Sequence, residues 1–525
     1  MGLSQGPLFD EDKLQELKKI KAQADSYTAE QIHKILQDLS VKSPVGNGLS
    51  EPFPFNLMFA TTIGPGGDHK GFLRPETAQG IFVNFPRLLA YNNGRMPFAA
   101  AQIGTAYRNE IAPRNGLLRV REFSMAEIEH FVHPNEKSHP KLDDVKNIEV
   151  TLFPRENQLG DGKTIQMRIG DALDKGIIDN ETLGYFIGRT HVFLSRIGIN
   201  LSGLRFRQHL ATEMAHYACD CWDAEVLLAS GWVECVGHAD RACFDLTSHA
   251  KANNIEMKAS RKLDPPETRS VLEMNVNKRA VGTTFKKDSK IVQKLLNDLR
   301  ESEEEAVAFQ KDLEASGKRI LKDSDNPDKT FEITSDMVEF KYVDKTFHEE
   351  KYTPSVIEPS FGVGRLMEAV FQHTFRIRPD DEQRTYFAFP PAVAPTKVAV
   401  LPLSNLIRKE CPQFLTDKLA NLGVSNSMDD SNAAIGRRYA RMDEIGIPFA
   451  VTIDFRSQKE YDNSQSPTKD YVTVTLRERD STNQVMVNLN EVPELLRKLC
   501  SEELNWARDI WGTYPDVATC TRSAE

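Results

Sequence analysis

At 525 residues, 40% hydrophobic and 27% charged, the chain is long enough to bury two or three domain cores and lacks the composition of a disordered polymer. A net charge of −10 excludes a surface that binds polyanions everywhere, since such binding needs excess Lys and Arg, so any nucleic-acid contact is local. Met1 to Ala24 has no apolar run of signal or membrane-span length, and the seven scattered cysteines suit a reducing compartment, so a cytoplasmic protein with no membrane segment is expected.

A charged helix is expected in the first residues. Thr28 and Gln31 form a capping-box pair ahead of Ile32, Ile35, Leu36 and Leu39, which predicts a short amphipathic helix over 28–39. Ser43 to Pro54, with Gly, Pro, Asn and Ser, reads as a loop. Phe98 to Tyr107 and Arg119 to His130 read as an antiparallel strand pair joined by a long loop from Ile111 to Leu118. Alternate residues of a strand share a face, so Arg108 and Glu110 point one way, as do Arg121, Phe123 and Glu127. Buried charges need partners, and such ladders suit a polar site better than a core. Residues 135–350 are mixed, with strand-like pieces near Trp232 and a helical run from Ile291 through Leu299 into the acidic stretch Glu301 to Glu305. After the Pro-rich Phe389 to Pro395 the pattern becomes strand–helix–strand, which predicts a separate α/β domain: Lys397 to Leu403, a helix to Leu422, then Ile447 to Asp454 and Tyr471 to Leu476.

Three local patterns carry chemistry. Tyr107-Arg108-Asn109-Glu110, followed by Arg119-Val120-Arg121-Glu122-Phe123, suits a nucleotide: arginine forks hold a phosphate or carboxylate, glutamate accepts an exocyclic amine, and Phe123 offers a stacking face. A salt-bridged surface hairpin accounts for the same residues. Glu358-Pro359-Ser360-Phe361-Gly362-Val363-Gly364-Arg365 places small residues and a cation at the start of an apolar helix, which fits either a turn or a ligand's phosphates. Arg74 to Gly80 could be a helix start and nothing more. Arginines cluster at Arg108, Arg114, Arg119 and Arg121, and again at Arg437, Arg438 and Arg441, where a solvated face is the alternative.

The stretch Tyr107 to Phe123 resembles motif 2 of class II aminoacyl-tRNA synthetases, and Glu358 to Arg365 resembles their motif 3. Arg74 to Gly80, Phe98 to Gly104, Arg119 to His130, His216 to Glu225 and Glu358 to Gly364 are similar to the eukaryotic and archaeal glycyl type. Several motifs in one order are far more specific than any one of them. The resemblance runs from about Thr28 to Pro515 and is weakest from Lys251 to Lys351.

It implies an α+β catalytic domain built on a six-stranded antiparallel sheet, plus a C-terminal α/β anticodon-binding domain. The domains would be 1–55, a helical remnant of an insertion; 56–390, catalytic, with insertions at about 135–230 and 251–351; and 391–525, anticodon-binding. The implied reaction is ligation of glycine to tRNA(Gly) through glycyl-adenylate, with ATP as substrate and Mg²⁺ as cofactor. Arg108 would bridge the glycine carboxylate and the α-phosphate. Asn109, Glu110, Arg119 and Val120 would lie at the nucleotide, with adenine between Phe123 and Arg365, and Arg108 and Arg365 as catalytic groups. Glu234, beside Cys235, would hold Mg²⁺ on the phosphates. Glu76, Glu127, Glu358, Pro359 and Ser360 would form the glycine pocket. There a rigid polar wall excludes a Cβ better than an apolar one, which discriminates one methyl group by only about 1–3 kcal/mol. Arg437, Arg438 and Arg441 would contact tRNA.

Zinc is not expected at His216, Cys219, Cys221, Cys235, His238 and Cys243, because Cys219-x-Cys221 lacks the usual spacer. The family's motif 1, which pairs subunits into a homodimer, would precede the segment matching Thr28 and is not in this sequence. A truncated chain is therefore expected, poor as an enzyme by itself and doubtful as a dimer. A catalytically impaired RNA-binding or regulatory protein, and another class II ligase, are the alternative functions. A mitochondrial form is compatible with the sequence.

Overall fold

The computed structural model describes residues 17, 20, 27–53, 55–113, 116–214, 218–301, 303–323, 329–379, 381–464, 469 and 471–517. Of the expected first helix only Leu17 and Ile20, both helical, are among them, and Arg114, His216 and Cys520 lie outside. The chain divides into two units, residues 1–257 with 354–525, and residues 258–353.

The helix Ala29–Asp38 forms behind the expected capping box, with the Thr28 N–H donating to Gln31 Oε1 at 2.8 Å and Gln31 N–H to Thr28 Oγ1 at 3.3 Å. The main sheet of the first unit has eight strands: β1 (Phe98–Tyr107), β2 (Glu122–Val132), β3 (Glu149–Phe153), β4 (Ile165–Arg168), β5 (Leu204–Gln208), β6 (Asp220–Leu228), β7 (Gly231–Asp240) and β8 (Ser355–Gly362). Their order is β1-β2-β8-β7-β6-β5-β3-β4. The first six pair antiparallel throughout, and β3 then joins parallel to β5. The antiparallel six are thus extended by a two-stranded edge. β2 starts at Glu122, three residues later than the pattern suggested. Before it, side-chain and irregular backbone bonds replace the ladder: Arg108 N–H donates to Arg121 O at 3.0 Å and Arg121 Nε to Glu110 O at 3.0 Å.

The period of two divides this sheet into an apolar and a polar face. Trp222, Ala224, Val226, Val236 and Ile357 join one buried cluster with residues of α1 (Glu181–Arg196) and α3 (Val363–Thr374), among them Leu183, Ile187, Leu194, Leu366 and Ala369. Between β7 and β8 lies α2 (Phe244–Asn253). The register pairs Met125 with Gly362 and Glu127 with Ser360, so these residues and Phe123 belong to the opposite face. Gly104 in β1 permits a close approach there. A Cβ would come within 2.6 Å of Arg74 Nη2, and Arg74 Nε donates to Thr105 O at 2.9 Å, pinning the Arg74–Gly80 segment on the sheet.

Past residue 390 a second sheet follows, with β9 (Val398–Pro402), β10 (Asn426–Met428), β11 (Phe449–Ile453), β12 (Thr473–Glu478) and β13 (Gln484–Asn488) in the order β10-β9-β11-β12-β13. β9 runs parallel to β10 and β11, and the last two strands are antiparallel. The helices α4 (Glu410–Asn421), α5 (Ile435–Glu444) and α6 (Val492–Cys500) accompany it. Val398, Val400, Val451, Leu476 and Leu496 lie in its core.

The second unit is an antiparallel ribbon, Ala259–Val276 with Val338–Tyr352, carrying, among the described residues, three α-helices and a hairpin. Val292 and Leu296 of the expected Ile291–Leu299 helix sit in its core with Phe309 and Ile333.

Candidate active site

On the polar face, one cleft is lined by Arg108, Glu110, Arg119, Val120, Phe123, Glu234, Cys235, Ser360 and Arg365, with Gly362 and Gly364 in its wall. Residues from β2, β7 and β8, the loop before β2 and the first turn of α3 therefore meet in space. Arg365 is held across the cleft: Nε donates to Leu118 O at 3.2 Å and Nη1 to Glu234 O at 2.7 Å, with Glu234 Oε2 at 3.3 Å. The cation at this helix start is thus compensated by carbonyls and a carboxylate. Arg108 lies over the Phe123 ring, 5.5 Å from its centroid, and its Nε reaches Pro75 O at 3.4 Å. Glu110 faces Arg119 at 3.5 Å. Burial pushes the Cys235 thiol up to about 12, so it stays a neutral thiol at this wall.

Asn109 points away from the cleft wall. Its N–H donates to Leu57 O at 2.7 Å and its Nδ2 to Asn56 O at 3.2 Å, tying the strand end to the preceding loop. Pro359 has no N–H for the ladder and contributes backbone shape to β8.

Beside the cleft stands a carboxylate group: the part-buried Glu76, the buried Glu127 and Glu358, and two buried residues that motif reasoning missed, Asp245 and Glu129. Glu127 Oε2 accepts from Thr77 N at 2.5 Å, from Thr77 Oγ1 and from Ala78 N at 2.9 Å, while Ser360 Oγ donates to Glu127 Oε1 at 3.4 Å. Four donors fix the direction of this carboxylate. Arg241, also missed, joins the others: Nε and Nη2 donate to Asp245 at 2.7 and 3.0 Å, Nη1 to Glu358 at 2.6 Å, and Glu76 lies 3.8 Å from Nη2. Burial raises Glu358 to about 7 against the pull of Arg241, with Glu127 and Glu76 adding to the rise. Arg241 lies just before α2 and Asp245 in its first turn, so their pairing follows from the turn between them and not from a helical repeat.

Glu234 is half-exposed at the cleft mouth, and a hard oxygen donor there fits Mg²⁺. Among the described residues no group of three or more His, Cys, Asp or Glu side chains forms a metal cage. A single carboxylate plus a nucleotide's phosphates is the donor set that Mg²⁺ commonly accepts.

Of the three C-terminal arginines, Arg437 and Arg441 are exposed, and Arg441 pairs with Asp429 at 2.7 Å. Arg438, expected with them, is 1% exposed. Its guanidinium donates to Pro402 O, Asp429 O and Leu403 O at 2.6, 2.9 and 3.0 Å, so it braces β9 from within and is not available to a polyanion.

A model of the tRNA synthetase class II core domain (G, H, P, S and T) matches residues 62–167, and a model of the anticodon binding domain matches residues 397–499. A putative glycine–tRNA ligase of Schizosaccharomyces pombe is 47% identical across 92% of this chain and 72% of its own length. The chain belongs to the glycine–tRNA ligase family. A Methanocaldococcus jannaschii glycine–tRNA ligase is 43% identical, with 92% of this chain and 82% of that protein covered. The Bombyx mori glycine–tRNA ligase is 49% identical over 95% of this chain, which spans 66% of that relative, just under two thirds of its length. The class II fold of this family accounts for the antiparallel sheet with its polar face.

Proposed function

We propose that the chain ligates glycine to tRNA(Gly) with ATP, through glycyl-adenylate. The observation that carries this reading is the convergence of Arg108, Glu110, Phe123 and Arg365 in one cleft, next to the carboxylates Glu127 and Glu358. A guanidinium, a stacking ring and a carboxylate acceptor suit the α-phosphate and base of ATP, and the neighbouring acids suit an ammonium group. Arg108 would neutralise charge that develops as the glycine carboxylate attacks the α-phosphate. Phe123 and Arg365 would hold adenine between them. Mg²⁺, held by Glu234 with the phosphates, would supply further charge neutralisation there.

Bound glycine would present its ammonium to Glu127, whose carboxylate is aimed by Thr77, Ala78 and Ser360. The domains follow as 56–390 for adenylation and 391–525 for tRNA, with Arg437 and Arg441 at the RNA face. Two exposed cations there, amid a net negative protein, fit local phosphate contact. The cytoplasm is the compartment of this reading. No helix among the described residues is long and apolar enough to cross a membrane.

ATP–pyrophosphate exchange tested across all the amino acids checks the assignment. Exchange with glycine alone is expected; exchange with another amino acid, or none, overturns it. Glu127→Gln should raise the KM for glycine roughly 10- to 100-fold, the size of a lost hydrogen bond to a charged group, and change the KM for ATP less than about threefold. Equal losses would mark Glu127 as structural. Arg437→Glu with Arg441→Glu should raise the KM for tRNA about tenfold at low salt and leave exchange intact, whereas parallel losses would remove RNA contact from their role.

A further inference from the structure

The register of the central strands places two acids face to face. β2 and β8 pair Ile357 with His130 and Ser360 with Glu127, and the two steps between them set Glu358 opposite Glu129. Directly opposed side chains on one face have Cβ atoms roughly 5 Å apart, and like charges there repel. Both residues are buried, Glu129 completely. Among the described residues neither Glu129 oxygen has a hydrogen-bond partner, whereas Glu358 has Arg241 at 2.6 Å.

The charged groups around this pair are known from each neighbouring element. Glu127 lies two residues away on β2, Glu76 precedes the helix Ala78–Phe82, Arg241 follows β7, and Asp245 comes from α2. On the other side of β2, Glu129 faces Ala100 of β1, which brings no charge. Arg241 is engaged by Asp245 and Glu358 together, so its charge is already shared between two acids before Glu129 is counted.

We propose that Glu129 is a positioning residue of the glycine pocket that shares one proton with Glu358 while the pocket is empty, and that the proton leaves to solvent when an ammonium group enters. This rests on the glycine reading above. The physics is that of two acids in one site, where both cannot ionise without a nearby cation. Burial, then the Glu358 charge, hold the Glu129 carboxyl well above the usual range. An arriving ammonium supplies the missing cation and favours the ionised pair. No bond to carbon forms or breaks in this step. One proton passes to water as one cation comes in.

The sign follows from linkage. A ligand that binds the deprotonated pair loses affinity as pH falls through the raised titrations of the two carboxyls, by up to about tenfold per pH unit for each proton displaced. The test is titration calorimetry of glycine into the full chain at pH 5.5, 6.5 and 7.5, in pairs of buffers with different ionisation enthalpies. The expected result is net proton release on glycine binding at pH 6.5 and 7.5, and an affinity that falls between pH 7.5 and 5.5. Glu129→Gln, nearly the same shape and neutral at every pH, should bind glycine with little proton release and a flattened pH dependence. Glycine binding to the wild type with no proton exchanged overturns the shared proton and leaves the glycine reading standing. Unchanged proton release in Glu129→Gln removes Glu129 from the role. No glycine heat at any pH overturns both.

Discussion

Arg108→Ala is expected to lower glycine-dependent exchange about 10²- to 10³-fold, the usual cost of removing one preorganised donor from developing charge. The fold should persist. The Arg108 backbone, not its side chain, ties the strand end to Arg121 at 3.0 Å, and among the described residues the side chain's one hydrogen bond, at 3.4 Å to Pro75 O, is long. On the proposed reading, a guanidinium with such weak partners beside Phe123 would keep its forked donors for a ligand. Arg108→Lys should recover little, because a point charge cannot reproduce the fork that engages two oxygens at once. The measurement is exchange at saturating ATP and glycine, with the melting temperature as control. Near-normal exchange in the alanine variant would remove Arg108 from the chemistry, and a large fall in melting temperature would make its role structural.

Strand alternation made much of the site legible before any coordinates. Phe98 to Tyr107 is a strand with the expected limits, and Phe123 and Glu127 do share a face. Alternation also held Glu129, two residues beyond Glu127, but the motif pattern drew attention only to Glu127. What alternation cannot give is the partner strand. That Glu358 lies opposite Glu129 depends on a pairing more than two hundred residues distant in sequence. The same holds for Thr77, whose contact with Glu127 spans fifty residues.

The C-terminal arginines teach a different lesson. On α5 a helical turn takes 3.6 residues, so Arg437 and Arg441, four apart, share a face, and Arg438 is turned about 100° from Arg437. Charge composition grouped all three, whereas helical geometry separates the buried one. The eight-stranded width of the main sheet was likewise beyond local pattern. The parallel pairing of β3 with β5 joins segments separated by the whole of α1.

Arg241→Met is expected to have the largest effect on stability, about 3–5 kcal/mol at neutral pH, because removing one partner of a buried ion pair leaves the other partner's charge uncompensated. Methionine keeps much of the side chain's length and its contact with Phe82, where the guanidinium now lies 5.5 Å from the ring centroid. What it removes is the cation between Asp245 and Glu358. Glu358 must then take up a proton in the folded state. A carboxyl whose folded pKa is raised destabilises the protein as pH climbs from the unfolded value, near 4, through the folded one. Glu358 stands at about 7 even with Arg241 in place, so without it the titration moves higher still. The variant should therefore melt roughly 3–6 °C below the wild type at pH 8, since a unit of this size loses about 1 °C per kcal/mol, and close most of that gap by pH 5.5. Adding Glu358→Gln to Arg241→Met should recover part of the loss at pH 8, since it deletes one uncompensated charge, and the two changes should be strongly non-additive. Thermal unfolding of the wild type and the three variants at pH 5.5, 7 and 8 measures this directly. A gap that is the same at every pH would mean that Arg241 acts through packing, and additive effects would mean that it does not balance the charge of Glu358.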